Sequence, residues 1–289
     1  MTLVTNELLA QLAALKIPSR SRMAVHHRGE KNSTRKGSSL EFSDYREYLP
    51  GDDIRKIDWN AYARSERMFL KLFYEEESRP VYFVVDQSQS MNFGTPTKFN
   101  FSLSLALCLC YVALRRYDQP ALLLMRDSRF RKIMLRSQNQ FFATLRLLEN
   151  EKPSGQNQLS RALKSMARAG LARGIYYVLS DFCSEDGFEG LSVLSAAGNE
   201  IHCLQVLAQE ELQPTARGDL RLIDSENNET LDVSMNPGAL RMYLSRLMKL
   251  QEDVQLTAHR SLANYYPITS TADLKDLLLK DLRERNIVL

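Results

Sequence analysis

The sequence predicts an α/β protein with a doubly wound, mostly parallel sheet and an N-terminal extension. From residue 80 onward, short runs rich in Val, Ile, Leu and Tyr alternate with longer stretches of helical periodicity. Most of these short runs are continuously apolar, which is typical of strands buried on both faces of a parallel sheet. The helical stretches between them are expected to cover both faces of that sheet.

The N-terminal extension is predicted to comprise residues 1–78, and the α/β domain residues 79–289. Residues 6–15 have the apolar spacing of a short amphipathic helix. The stretch 16–37 is polar and basic, so we expect a solvated loop; because it lacks interleaved aromatic residues, nucleic-acid binding is not expected. The alternation in MFLKLFYEE predicts a strand before the α/β domain begins.

The extension contains the dense charged segment DYREYLPGDDIRKIDW. Asp52 or Asp53 could cap a short helix, and Arg46 and Arg55 could pair with these carboxylates. The alternative is a catalytic carboxylate pair, but no nucleophile or base with matching placement accompanies it. Trp59, the single tryptophan, is expected to be a buried core anchor.

The α/β domain begins with a predicted strand at 81–86 and a long helix at about 98–117. The elements that follow are strands at 121–127 and 130–136, helices at about 139–150 and 158–172, a strand ending at Asp181, a helix near 187–198, the strand EIHCLQVL, the short strands DLRLID and ETLDVS, a helix at about 238–259, the strand YYPITS and a final helix.

Composition favours a soluble protein of ordinary character, with 44% hydrophobic and 25% charged residues and a net charge of +3. The four cysteines lack the spacing of a zinc site, so free thiols in a reducing compartment are expected. The N-terminus has no basic region typical of a signal peptide, and the apolar stretch 101–114 is short for a membrane span. These observations predict a cytoplasmic location without a membrane span.

The first strand of the domain ends in the motif DQSQSM, which places Asp86, Ser88 and Ser90 at alternate positions. In an open α/β sheet, ligands bind beyond the carboxyl ends of the strands. Small, hard oxygen ligands of this kind suit Mg²⁺ or Mn²⁺, and a second strand ends at Asp181, which could converge on the same cation. The alternative is that Asp86 and Ser88 only cap the following turn.

The strand with its D-x-S-x-S motif resembles the metal-ion-dependent adhesion site of von Willebrand factor A domains. In that family the first Asp, both Ser, a Thr from a later loop and a second Asp surround the cation. Asp86, Ser88, Ser90 and Asp181 match these positions, whereas the loop GQNQLSRAL places Asn157 where the family has Thr. The resemblance therefore implies a Rossmann-type von Willebrand A-like fold and a Mg²⁺ or Mn²⁺ site, which Asn157 could weaken.

The upstream segment resembles the signature of a bacterial family called domain of unknown function 58, and this similarity extends over residues 27 to about 260. The matching positions are Gly37, Glu41, Phe42, Arg46, Tyr48, Gly51, Asp52, Asp53, Arg55, Ile57, Asp58, Trp59, Ala63, Arg64 and Glu76. In that family a frequent genomic neighbour is a MoxR-type AAA+ ATPase, so the resemblance implies such a partner.

Two functions from different classes remain open on the sequence. The first is a non-enzymatic interaction module with a chaperone-like role in the assembly or maturation of other proteins. In it, a cation at Asp86, Ser88 and Ser90 keeps an open position for an acidic side chain of the MoxR-type ATPase or its client. The second is a metal-dependent hydrolase of phosphate esters, although few carboxylates are available for a two-metal centre.

Overall fold

The structure is a computed structural model that describes residues 3–17, 41–74, 80–116, 118–184, 186–215, 218–225 and 229–289. The chain forms two compact units. The larger contains Met1–Pro18 and Arg79–Leu289, and the smaller contains Ser19–Ser78. Most of the basic stretch 16–37 lies outside the described residues, so its predicted loop stays a prediction.

The larger unit is built around a six-stranded sheet in which five strands are parallel and one edge strand, β5, is antiparallel. The sheet order is β10-β7-β6-β3-β4-β5. Its strands are β3 (Pro80–Asp86), β4 (Gln119–Arg126), β5 (Arg129–Met134), β6 (Ile175–Ser180), β7 (Glu200–Leu207) and β10 (Asn264–Thr269). Read from β5, the strands follow the order of a doubly wound sheet, which reverses between β3 and β6. The predicted fold class is therefore confirmed.

Helices cover both faces of this sheet, as the apolar strands require. The helices of the larger unit are α1 (Asn6–Gln11), α3 (Lys98–Arg115), α4 (Gln138–Leu148), α5 (Leu159–Arg168), α6 (Glu189–Ala196), α7 (Gln209–Leu212), α8 (Pro237–Arg260), α9 (Leu274–Asp276) and α10 (Leu282–Glu284), the last two joined by a π-helical turn. A separate antiparallel ribbon pairs β8 (Gly218–Ile223) with β9 (Thr230–Met235).

Two hydrophobic clusters lie on opposite sides of the sheet because successive side chains of β3 point to opposite faces. Phe83 belongs to the cluster that includes α3, and Tyr82 to the cluster that includes α5 and α6. Residues 3–17 contribute Leu9 and Leu12 to the first cluster. Lys16 and Leu289 exchange two backbone hydrogen bonds, at 2.9 and 2.8 Å, so the two terminal segments are tied together.

The smaller unit contains a two-stranded antiparallel sheet, in which β1 (Glu41–Glu47) pairs with β2 (Phe69–Tyr74), and the helix α2 (Trp59–Ser65). Asp58 caps α2 through the backbone N–H groups of Asn60 and Ala61. The same carboxylate accepts hydrogen bonds from Tyr45 Oη at 2.7 Å and lies 3.2 Å from Lys71 Nζ. The hydrogen bond from Tyr45 is the main cause that lowers the pKa of Asp58 to about 2.

The acidic pair in this unit has the structural contacts that the sequence favours. Asp53 caps a 3₁₀ turn at Ile54–Lys56 and pairs with Arg55 at 3.1 Å. Asp52 accepts hydrogen bonds from Arg46 at 2.8 Å and from a backbone N–H at 2.9 Å. The predicted caps and ion pairs are therefore confirmed.

The prediction that Trp59 is a buried anchor is wrong. Its side chain is 59% exposed and packs edge-on against Tyr62, with 6.2 Å between ring centroids. The physical reason is that α2 is a short helix that buries none of its residues, and Asp58 holds it through polar contacts.

We predict that Trp59→Ala lowers the free energy of unfolding by about 1 kcal/mol or less, because an exposed side chain loses little packing. Phe83→Ala, which removes a fully buried ring, should lower the free energy of unfolding by about 3–5 kcal/mol. Chemical denaturation followed by circular dichroism measures both. Trp59 fluorescence in the wild type should be readily quenched by iodide; a quench-resistant tryptophan would contradict its exposed position.

Candidate functional site

The site lies at the switch point of the sheet, where β3 and β6 are adjacent parallel strands. Strand β3 ends at Asp86, and β6 ends at Ser180 with Asp181 directly after it. Both carboxylates are buried, at 1% exposure for Asp86 and 0% for Asp181. Strand pairing therefore brings together two acidic residues that are far apart in the sequence.

The Asp86 loop folds back on its own carboxylate. The backbone N–H of Ser88 donates to Asp86 Oδ1 at 2.9 Å, and the Ser88 and Ser90 hydroxyl oxygens lie 3.0 Å apart. A 3₁₀ turn at Gln89–Met91 follows, and Met91 is buried in the core. The turn therefore presents a carboxylate and two hydroxyls at one place.

Asn157 connects the two strand ends. Its amide Nδ2 donates to Asp86 Oδ2 at 3.0 Å and to Asp181 Oδ1 at 3.2 Å. The Ser180 hydroxyl donates to Asp86 Oδ2 at 2.5 Å. The amide thus bridges two carboxylates that would otherwise repel each other in a low-dielectric environment, and the hydroxyl stabilises Asp86 alone.

The loop that carries Asn157 is anchored to the Asp86 loop by backbone contacts. Ser154 N–H donates to Gln87 O at 2.7 Å, and Gln89 N–H donates to Gly155 O at 2.9 Å. Gly155 has a φ of +90°, and a Cβ there would lie 2.6 Å from Asp127 Oδ1, so a larger residue would push this loop away. The glycine therefore allows Asn157 to reach the strand ends.

The five residues predicted from the motif therefore come together: Asp86, Ser88, Ser90, Asn157 and Asp181. Their role as metal ligands stays a prediction. Sequence reasoning missed three further members of the site, Ser180, Lys98 and Glu211. Lys98 Nζ lies 2.8 Å from Asp181 Oδ2 and 2.7 Å from Glu211 Oε1, and this lysine is only 1% exposed. The available signal was a charged residue at the start of a largely apolar helix.

The electrostatics of the site follow from this burial. Burial, followed by repulsion from Asp181, raises the pKa of Asp86 to about 7. Burial by itself would lower the pKa of Lys98, but Asp181 and Glu211 outweigh it and raise that pKa above its ordinary value. Lys98 therefore carries a full positive charge and partly compensates the buried carboxylates.

Asp86, Ser88 and Ser90 have the chemistry of a Mg²⁺ or Mn²⁺ site, because all three offer hard oxygen donors. Both oxygens of Asp86 and both oxygens of Asp181 already accept hydrogen bonds, and Asp181 alone of the two is also paired with Lys98. Asn157 turns its N–H group toward both carboxylates, so its amide would have to rotate to offer oxygen.

Among the described residues, no group of three His, Cys, Asp or Glu side chains is placed to hold a metal ion. A cation at this edge of the sheet would therefore depend on the serine hydroxyls as well as on carboxylates. The residues that would hold such a cation are Asp86, Ser88 and Ser90, with Asp181 contributing directly or through water.

One helix in the described part of the chain, Lys98–Arg115, is long and apolar enough to cross a membrane by length and composition, and 78% of it is buried inside the larger unit.

The fold and site define an α/β protein whose polar cluster occupies the switch point of a doubly wound sheet. A family model described as "Protein of unknown function DUF58" matches residues 44–254, and the chain belongs to this family. A curated relative, "Uncharacterized protein Rv1480" of Mycobacterium tuberculosis, is 24% identical over 241 residues, which cover 81% of this chain and 76% of the relative. A Mycobacterium bovis protein described as uncharacterized matches to the same extent.

Solved structures with partial similarity include BatB from Bacteroides thetaiotaomicron, with a TM-score of 0.40 and 13% identity over 71% of this chain and 98% of that chain. An aerotolerance-related membrane protein from Bacteroides fragilis has a TM-score of 0.44 and 13% identity over 72% of this chain and 98% of that chain.

We predict that the raised pKa of Asp86 makes the metal-free protein less stable as the pH rises. The unfolded chain releases this proton near pH 3.8, whereas the folded protein retains it until about pH 7. The folded state thus binds more protons in that window, so the free energy of unfolding should fall as the pH rises through it. The loss is on the order of a few kcal/mol, since one pKa unit corresponds to about 1.4 kcal/mol.

Urea denaturation between pH 4 and pH 8 in the presence of a chelator measures this effect. Asp86→Ala should lack this component of the pH dependence because it removes the titrating group. If the free energy of unfolding fell with pH as steeply in Asp86→Ala as in the wild type, groups other than Asp86 would cause the pH dependence.

Proposed function

We propose that this protein is a non-enzymatic interaction module that binds an acidic side chain of a partner protein through a Mg²⁺ or Mn²⁺ ion at the switch point. The observation that carries this proposal is the convergence of Asp86, Ser88 and Ser90 at the carboxyl end of β3. A divalent cation whose direct ligands are one carboxylate and two neutral hydroxyls keeps a net positive charge together with those three ligands, although the wider cluster with Asp181, Lys98 and Glu211 is then neutral. It therefore attracts a further carboxylate from outside the chain.

The degree of exposure supports this use of the site. Asp86 and Ser88 are buried, but Ser90 is partly exposed, so solvent reaches the site from the side of the serine turn. A partner carboxylate would approach from this side, where it need not displace the Asp181–Lys98 ion pair. Partial desolvation there would strengthen the contact between the cation and the partner carboxylate.

By resemblance to its family, we propose a MoxR-type AAA+ ATPase or its client as the partner, and assembly or maturation of other proteins as the role. A location in the cytoplasm, where such an ATPase has nucleotide, is part of this proposal. Hydrolysis of phosphate esters is the alternative, and it would require the same metal with a water molecule in the open position.

The first prediction of this proposal concerns metal affinity. Mg²⁺ or Mn²⁺ should bind to the wild type, and Asp86→Ala should abolish binding because it removes the carboxylate next to the serines. Asn157→Thr should tighten binding, since a hydroxyl offers a compact oxygen donor in place of an amide N–H. Isothermal titration calorimetry measures all three proteins.

Glu189→Ala is the matched control, because Glu189 is an exposed carboxylate on α6 that pairs with Lys164 at 2.8 Å. Its affinity should equal that of the wild type. Unchanged metal affinity in Asp86→Ala would show that the D-x-S-x-S motif does not form the metal site. An unchanged affinity in Asn157→Thr would place Asn157 outside the coordination sphere.

The second prediction concerns the partner. A purified MoxR-type AAA+ ATPase from the same organism should bind the immobilised wild type in Mg²⁺, and binding should be lost in excess chelator and in Asp86→Ala. Glu189→Ala should bind as the wild type does. Surface plasmon resonance measures these affinities, and circular dichroism checks that each variant is folded.

Binding that survives the chelator would contradict a cation bridge. Metal-dependent turnover of p-nitrophenyl phosphate that is lost in Asp86→Ala would instead favour the hydrolase.

A further inference from the structure

Lys98 is a buried charged residue to which the proposed metal bridge assigns no role. It is the first residue of α3, and the helix is capped by Thr97, whose hydroxyl accepts from Asn100 N–H at 3.2 Å. The Lys98 backbone N–H is bound by Phe93 O at 2.9 Å, so the lysine is held at both its backbone and its ammonium group. Burying an ammonium is costly unless it is paired, and here two carboxylates pair with it.

The second partner of this lysine links the site to another element. Glu211 Oε1 accepts from Lys98, whereas Glu211 Oε2 accepts from the backbone N–H of Ala208 at 2.7 Å and thereby closes the first turn of α7. The segment between β3 and α3, which contains Asp86 and Gly94, packs against the same turn. Gly94 lies so close to it that an added Cβ would be 2.7 Å from Ala208 Cβ. Lys98 therefore joins the end of β6 to the start of α7.

Charge balance suggests what this connection does. Asp86, Asp181 and Glu211 carry three negative charges when ionised, and Lys98 carries one positive charge, so two negative charges remain. One divalent cation would neutralise them. The cation and the ammonium would both be attracted to Asp181, and they would repel each other.

We propose that Lys98 is a tethered cation that competes with a divalent metal for Asp181 and couples metal binding to the turn at Ala208–Leu212. This inference rests on the proposed metal site. When a metal attracts Asp181, the ammonium shifts toward Glu211 and weakens the bond from Ala208 N–H to that carboxylate. Lys98 is thus a positioning residue that sets metal affinity and transmits occupancy to α7.

Mn²⁺ titration of four proteins, followed by electron paramagnetic resonance of the free ion, tests the competition. Lys98→Met should bind Mn²⁺ at least about tenfold more tightly than the wild type, because one competing charge is removed. Glu211→Gln should bind about fivefold more weakly, because the ammonium then has Asp181 as its only carboxylate partner. Lys164→Met, which removes a positive charge from the outer face of α5, should bind as the wild type does.

The opposite signs separate competition from a merely structural role, which would weaken binding in both variants. Should Lys98→Met fail to fold, Lys98→Gln replaces it, since its uncharged amide can still donate hydrogen bonds to Asp181 and Glu211 and should likewise tighten Mn²⁺ binding. If the wild type bound Mn²⁺ and Lys98→Met bound it no more tightly, the proposed competition would be overturned but the metal site would stand. If neither the wild type nor Lys98→Met bound Mn²⁺, the proposed metal site would fail as well. Mn²⁺ binding by Lys98→Met but not by the wild type would support the competition.

Hydrogen–deuterium exchange tests the coupling. Mn²⁺ should speed exchange at the Ala208 amide in the wild type, and the effect should be absent in Lys98→Met. Equal exchange with and without Mn²⁺ in a wild type that binds the ion would overturn the link to α7.

Discussion

The repulsion between two buried carboxylates at neighbouring strand ends is the constraint on which the rest of the site depends. Parallel pairing of β3 with β6 brings Asp86 and Asp181 together, and burial denies them the screening of water. Each nearby element contributes a compensating group. The loop before α5 contributes the amide of Asn157, β6 the hydroxyl of Ser180 and α3 the ammonium of Lys98. Together these contacts hold a loop, a strand and a helix in place around one point.

The doubly wound topology explains why those segments meet there. The segments that follow β3, β6 and β7 leave the same edge of the sheet because these strands are parallel. The strand topology by itself therefore brings a residue that directly follows one of these strands to the edge of the sheet that contains the switch point. The apolar layers on both faces pack closely against the strands and thereby position the strand ends that carry the polar groups.

The two units use acidic residues in different ways. In the smaller unit, hydrogen bonds from Tyr45 and from backbone N–H groups lower the pKa of Asp58, so its charge stabilises a helix cap and an ion pair. At the switch point, burial raises the pKa of Asp86. A carboxylate kept in a costly state contributes little to stability, and this is a physical reason to regard Asp86 as part of a binding site.

The sequence alone determined the fold class, most strands and helices of the α/β domain and the grouping of Asp86, Ser88, Ser90 and Asp181, and the family resemblance added Asn157. Continuous apolar runs reveal a buried parallel sheet, and motif residues at strand ends must converge at its carboxyl edge. Only the tertiary structure decided that Lys98, which is 83 residues from Asp181 and 113 from Glu211, pairs with both carboxylates at this edge. It also decided that Trp59 is exposed. Local patterns report which face of an element is apolar, whereas ion pairing and burial depend on what other parts of the chain place beside it.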